Sequence, residues 1–79
     1  MVTINTWFIE GDFLTAEVQV AGYDVVFTAK YKISTEEFRT STAVPDKVRI
    51  DAKKALIRVY IEYRAGRFKP RSRQVIAWG

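Results

Sequence analysis

The sequence predicts an α+β domain: an antiparallel sheet of three to five strands, built on a βββ meander and packed against one long α-helix. Three observations carry this. Apolar and polar residues alternate over residues 13–20 and 25–33, the period of strands with one wet face. Only Gly11-Asp12 and Ala21-Gly22-Tyr23-Asp24 separate these stretches from their neighbours, which is turn chemistry. From Val48 onward the period changes to 3.6, with Ala52, Ala55, Leu56, Val59, Tyr60 and Tyr63 completing one apolar stripe.

Each element follows in order. Residues 2–10 are rich in β-branched and aromatic side chains and form the first strand. In the second, Leu14, Ala16, Val18 and Val20 share a face, with Phe13, Thr15, Glu17 and Gln19 opposite. In the third, Val25, Phe27, Ala29, Tyr31 and Ile33 are expected to face in, with Val26, Thr28, Lys30 and Lys32 out. Residues 34–44 fit either a short fourth strand, on the alternation Phe38, Thr40, Thr42 and Val44, or a loop. Val44-Pro45-Asp46 starts the helix, since proline suits its first turn and aspartate complements its positive end. The helix runs to about Ala65, with Gly66 as the stop. Gln74-Val75-Ile76-Ala77-Trp78 has strand character and is expected to add to a sheet edge.

Seventy-nine residues correspond to a single domain over 1–79, close to the smallest size at which a core holds without staples. There is no cysteine and no histidine, so neither disulfides nor the usual zinc sites are available. The apolar runs are far shorter than the roughly 20 residues of a membrane span. Met1-Val2-Thr3 opens directly into a strand pattern rather than a leader. These features predict a cytoplasmic protein that needs no membrane, metal or cofactor.

The same inventory disfavours catalysis. Histidine is the commonest general base and cysteine the most nucleophilic side chain. The pair Glu36-Glu37 reads as a solvated loop, and the four glycines are scattered rather than arranged as a phosphate loop. No small-molecule substrate is expected, and the protein is read as a non-enzymatic binder.

Charge points to what it binds. The net charge is +4, but all thirteen Lys and Arg residues lie after position 29, while the first 24 residues hold only carboxylates. Such asymmetry acts on association rather than on fold. Within the basic segment 64–73, Arg67, Lys69, Arg71 and Arg73 occur at every second position. Pro70 biases Lys69 toward extended geometry, so the four are expected to form a ridge roughly 7 Å apart, with Phe68, Pro70 and Ser72 behind. Arg64 adds a fifth charge, and Lys30, Lys32, Lys53 and Lys54 supply steering. A ridge of this kind suits a phosphate backbone, where binding comes from counterion release and carries little sequence information. Phe13 and Trp7 or Phe8 are candidate stacking platforms for bases.

A second feature lies on the helix. Ile50, Ile57 and Ile61 cluster opposite the core stripe, flanked by Lys47, Lys53, Lys54 and Arg64. Three isoleucines facing water call for a cover. Either the C-terminal residues Val75, Ile76 and Trp78 fold across them, or another chain does, a twin subunit or a target.

Phe13-Leu14-Thr15-Ala16-Glu17-Val18-Gln19-Val20-Ala21-Gly22 resembles the first strand and turn of a double-stranded-RNA-binding domain. Asp51-Ala52-Lys53-Lys54-Ala55 is similar to that family's lysine-rich helix start. That family's first helix is replaced here by a strand, and Lys53 and Lys54 sit about two turns inside the helix. Its RNA contacts therefore do not carry over. A three-stranded sheet backed by one helix also resembles the small DNA-binding arms of phage integrases. Short βββα chains are similar, too, to phage-encoded inhibitors such as anti-CRISPR proteins, which plug a surface with charge and apolar area. The expected function is thus nucleic-acid binding through the basic ridge. The alternative is inhibition of a protein or nucleoprotein target through the basic, apolar helix face, and homodimerisation is compatible with both.

Overall fold

The first strand, β1 (Val2–Glu10), cannot keep a single alternation along its length. Val2 and Ile4 face inward, and continued alternation would bring Thr6 and Phe8 in after them. A register shift between Ile4 and Thr6 instead leaves Asn5 as an extra residue, so Ile4 pairs with Val18 and Thr6 with Glu17. Such a β-bulge inverts the faces beyond it. Trp7 turns into the core, fully buried, and Phe8 turns outward.

The computed structural model describes residues 1–77. After β1 come β2 (Phe13–Val20), β3 (Phe27–Lys32), β4 (Phe38–Thr40), α1 (Asp46–Arg64) and β5 (Gln74–Ile76). They form one antiparallel five-stranded sheet in the order β4-β3-β2-β1-β5, with the helix packed on one face. The α+β class, the meander, the single long helix and the C-terminal strand are all as the sequence predicts. Residues 38–40 take the strand alternative, and the pairing is extended by Ser41 N–H, which donates to the Thr28 carbonyl, and by the Ser41 hydroxyl oxygen, which accepts from Thr28 N–H.

One core joins the layers: Val2, Ile4, Trp7, Leu14, Ala16, Val18, Val20, Phe27, Ala29, Tyr31 and Phe38 from the sheet meet Ala52, Ala55, Leu56 and Val59 of the helix. Ile76 enters from β5, and Tyr63 meets Trp7 edge-on with ring centroids 5.8 Å apart. Val25 departs from expectation. It is exposed because residues 23–26 form a loop and pairing begins only at Phe27. Pro45 is the helix N-cap rather than its first residue. The helix ends as the sequence predicts, by a Schellman arrangement. Gly66, at φ +79°, donates to the Tyr63 carbonyl and Arg67 N–H to that of Glu62. No helix among the described residues is long and apolar enough to cross a membrane.

Trp7 is the largest fully buried side chain, and its indole N–H has no hydrogen-bond partner. Truncating a buried aromatic to alanine costs about 3–5 kcal/mol. A chain this short has a total stability of about 4–12 kcal/mol. Trp7→Ala is therefore expected to weaken the cooperative melting transition seen by circular dichroism, lowering its midpoint by at least about 12 °C. Trp7→Phe keeps it, because most of the volume stays and an unpaired buried donor is removed.

Candidate functional site

The helix covers only one side of the sheet, so every outward position of five strands is left facing solvent. Cross-strand register sorts these positions into rows. One runs Phe8–Thr15–Lys30–Arg39 across β1 to β4, and the next runs Glu10–Phe13–Lys32. Directly opposed residues stand with Cβ atoms about 4.5–5.5 Å apart, so Lys30, Lys32 and Arg39 form one cationic corner around Phe13. The Lys30 and Lys32 ammonium groups lie 5.4 and 6.0 Å from the Phe13 ring centroid. Phe13 remains 39% exposed. With Lys30, Lys32, Glu37 and Arg39 it lines a shallow cleft of about 280 Å³. An adjoining hollow of about 340 Å³ continues past Phe8, Glu10, Thr15 and Thr28.

The turns hold this corner in place. Ile33 N–H donates to the Asp12 carbonyl at 2.8 Å, and Ser34 donates to the Asp12 carboxylate through both its backbone N–H and its hydroxyl. These bonds tie the β1–β2 turn to the end of β3, fixing Phe13 beside Lys32. The Lys32 N–H donates to Glu37 and its carbonyl accepts from Glu36, which closes the β3–β4 turn. Tyr31 sits beneath. Burial pushes its phenol up, and the nearby Glu36 carboxylate reinforces the shift.

The expected ridge is corrected here. Residues 67–73 do not extend: Lys69 and Ser72 close a turn, and Arg71 takes φ +69°. The cause is the sheet edge, where Arg71 N–H donates to the Trp7 carbonyl at 2.6 Å. This bond swings the Arg71 guanidinium over the outward ring of Phe8, 5.3 Å from its centroid. Arg67 is drawn away to Glu62, which its guanidinium meets at 2.5 and 3.0 Å. Arg58 also approaches Glu62, at 3.4 Å. Arg73 lines a separate hollow with Thr3, Gln19 and Asp24 at the far end of the open face. Lys69 is exposed in the turn. The helix carries Lys53, Lys54 and Arg64 on the other layer, where Arg64 donates to the Tyr60 hydroxyl. The nine cations read from the sequence are thus divided among the open sheet face, the turn and the helix.

Among the described residues, Lys30, Lys32, Arg39, Arg71 and Arg73 have no carboxylate within ion-pair distance. Glu10 and Glu17 occupy the middle strands of the same face, in the rows on either side of Phe8–Thr15–Lys30. Of the proposed platforms, Trp7 is sealed in the core, while Phe8 and Phe13 lie on the open face. Arg39 was missed by sequence reasoning, although the Phe38/Thr40 alternation that offers a fourth strand already places it outward.

Compared with protein-family models, curated proteins and solved structures, the chain has no significant match.

On the helix, Ile50 and Ile61 are each 52% exposed, and Ile57 is half-buried. The C-terminal segment does not cover them, because β5 joins β1 at the sheet edge, burying Ile76 and leaving Val75 exposed. Trp78, the third residue of that expected cover, lies outside the described residues. No group of three or more carboxylates that could hold a metal ion occurs among the described residues, and Glu36 and Glu37 serve the turn.

The Glu62 carboxylate is held below its ordinary range, chiefly by the Arg67 hydrogen bonds, against an opposing effect of burial. Because the folded value is the lower one, the stability this group supplies is complete above the unfolded value and is lost as pH falls through the folded one. Glu62→Gln is expected to melt below the parent at neutral pH. The two melting temperatures converge below about pH 4 in a pH series of thermal melts.

Proposed function

We propose that this protein binds nucleic acid without catalysis, through the open face of its sheet rather than through an extended C-terminal ridge. The observation that supports this is a set of five cations on that face, none paired with a carboxylate among the described residues, four of which (Lys30, Lys32, Arg39 and Arg71) stand by two outward phenylalanines. Unpaired guanidinium and ammonium groups meet phosphates by releasing counterions, which gives affinity that is largely independent of sequence. A protein-neutralised charge would be redundant here, and Arg67 is excluded on that ground. Lys53, Lys54 and Arg64 act at longer range.

With about four phosphates engaged, the log–log salt slope should be about −2.8 on a single strand or −3.6 on a duplex. Fluorescence anisotropy with labelled oligonucleotides at about 50 and 200 mM salt reads this as a loss of about fiftyfold or more. Arg71→Gly should flatten the slope by nearly one. It should do so with no loss of melting temperature, since glycine tolerates the positive φ that arginine holds under strain. Binding that is absent at low salt, or unchanged between the two salt levels, contradicts the proposal.

A second reading is favoured by Ile50 and Ile61, which stay exposed beside Lys47, Lys54 and Arg64. In it, the helix face docks on an acidic protein or nucleoprotein surface, as a phage-type inhibitor would, or on a second copy of the chain. Ile61→Asp should leave the melting temperature within a few degrees, because surface changes cost about 0.5 kcal/mol or less. It should also remove any dimer in sedimentation and any specific partner in a pull-down. An unfolded Ile61→Asp variant would place that residue in the core and end this reading.

A further inference from the structure

The open face offers more than charge, and its geometry separates two kinds of nucleic acid. A duplex keeps its bases inside, so only its phosphates and groove edges reach a sheet surface, and an exposed aromatic ring in the middle of the contact gains nothing. Here the most exposed ring of the face, Phe13, lies directly against the cationic corner, with the Lys30 and Lys32 ammonium groups reaching over it from β3. Lys32 is its direct cross-strand neighbour, Lys30 lies one row away, and Arg39 follows on β4. The second ring, Phe8, lies on the adjoining hollow and carries Arg71 above it. Aromatic rings interleaved with cations form the pairing that unstacked bases need, since the ring takes the base and the cation takes its phosphate.

We propose that the ligand of this face is single-stranded nucleic acid, with one base stacked on Phe13 and its flanking phosphates on Lys30, Lys32 and Arg39. The inference rests on the nucleic-acid reading above and narrows it. In the free protein the two lysine ammonium groups lie over the Phe13 ring. An exposed cation–π contact is weaker than base stacking on an aromatic, so an incoming base displaces the flexible lysine tips. The displaced tips then stand at the edge of the ring, where the phosphates of the stacked nucleotide run. Glu37 lines the same cleft and Glu10 pairs across from Phe13. Their negative charge repels phosphate from those sides, so the backbone is confined to the Lys30–Arg39 side. Phe13 gives only modest support to the fold, since 39% of it is exposed and it lies on the face away from the helix.

The test compares a labelled single strand of about 12 nucleotides, as DNA and as RNA of the same sequence, with the matching duplex. The parent protein is measured beside Phe13→Leu, Phe13→Tyr and Lys30→Ala. The proposal expects tighter binding of either single strand than of the duplex. Phe13→Leu keeps apolar bulk but removes the stacking surface, and it should weaken single-strand binding by at least about fivefold with an unchanged salt slope. Phe13→Tyr should restore it. Melting temperatures near that of the parent show that each variant is folded. Equal affinity for duplex and single strand, with Phe13→Leu silent while Lys30→Ala weakens both, would overturn the single-strand inference and leave the charged-face reading intact. No binding of any oligonucleotide at about 50 mM salt would overturn both.

Discussion

One extra residue in β1 sets the two-sidedness of this molecule. With Asn5 bulged, strand parity changes between Ile4 and Thr6, and Trp7 drops into the interior beside Tyr63 while Phe8 emerges on the opposite side. The consequences reach both layers. The helix packs against a floor that includes a fully buried indole, and the open face carries the Phe8 ring where unbroken alternation would have put Trp7. The carbonyl of the same Trp7 receives the Arg71 N–H, so the edge of the bulged strand also dictates where the basic segment turns. Core, platform and cation placement depend on a single backbone irregularity.

The basic residues are divided by local partners rather than by spacing. Glu62 takes Arg67, and the Schellman arrangement at Gly66 aims the chain so that this contact forms. Arg71 accepts a left-handed backbone in exchange for a hydrogen bond to the sheet edge. Strain at a non-glycine residue costs about 1–3 kcal/mol, and it persists where surrounding contacts over-determine it. Here the hydrogen bond, the neighbouring Lys69–Ser72 turn and the Phe8 ring do so. The result is a cation fixed over an aromatic on the open face instead of one waving in a tail.

Much of the fold was legible because period is a direct consequence of geometry. The alternation in residues 13–20 and the 3.6 stripe from Val48 to Tyr63 are what a sheet and a helix sharing one core require, and Gly66 marks the helix end by its tolerance of positive φ. The site was legible only in part. Lys30 and Lys32 were placed outward correctly, since they lie within a regular strand. The ridge was not, because Glu62 is five residues before Arg67 and no periodic rule announces their pairing. Trp7 and Phe8 were left unresolved because a bulge has no sequence signature as clear as a turn. Arg39 was hidden by the ambiguity of a three-residue strand that exists mainly through its pairing with β3.

The central claim is that the open sheet face, not the helix, meets the ligand. Amide chemical-shift mapping of the ¹⁵N-labelled protein titrated with a short single-stranded oligonucleotide tests it most directly. The account predicts shifts concentrated at Phe8, Phe13, Lys30, Lys32, Arg39 and Arg71, with the amides of Ile50, Ile57 and Ile61 undisturbed. Shifts confined to the helix, or none under low salt, would contradict it.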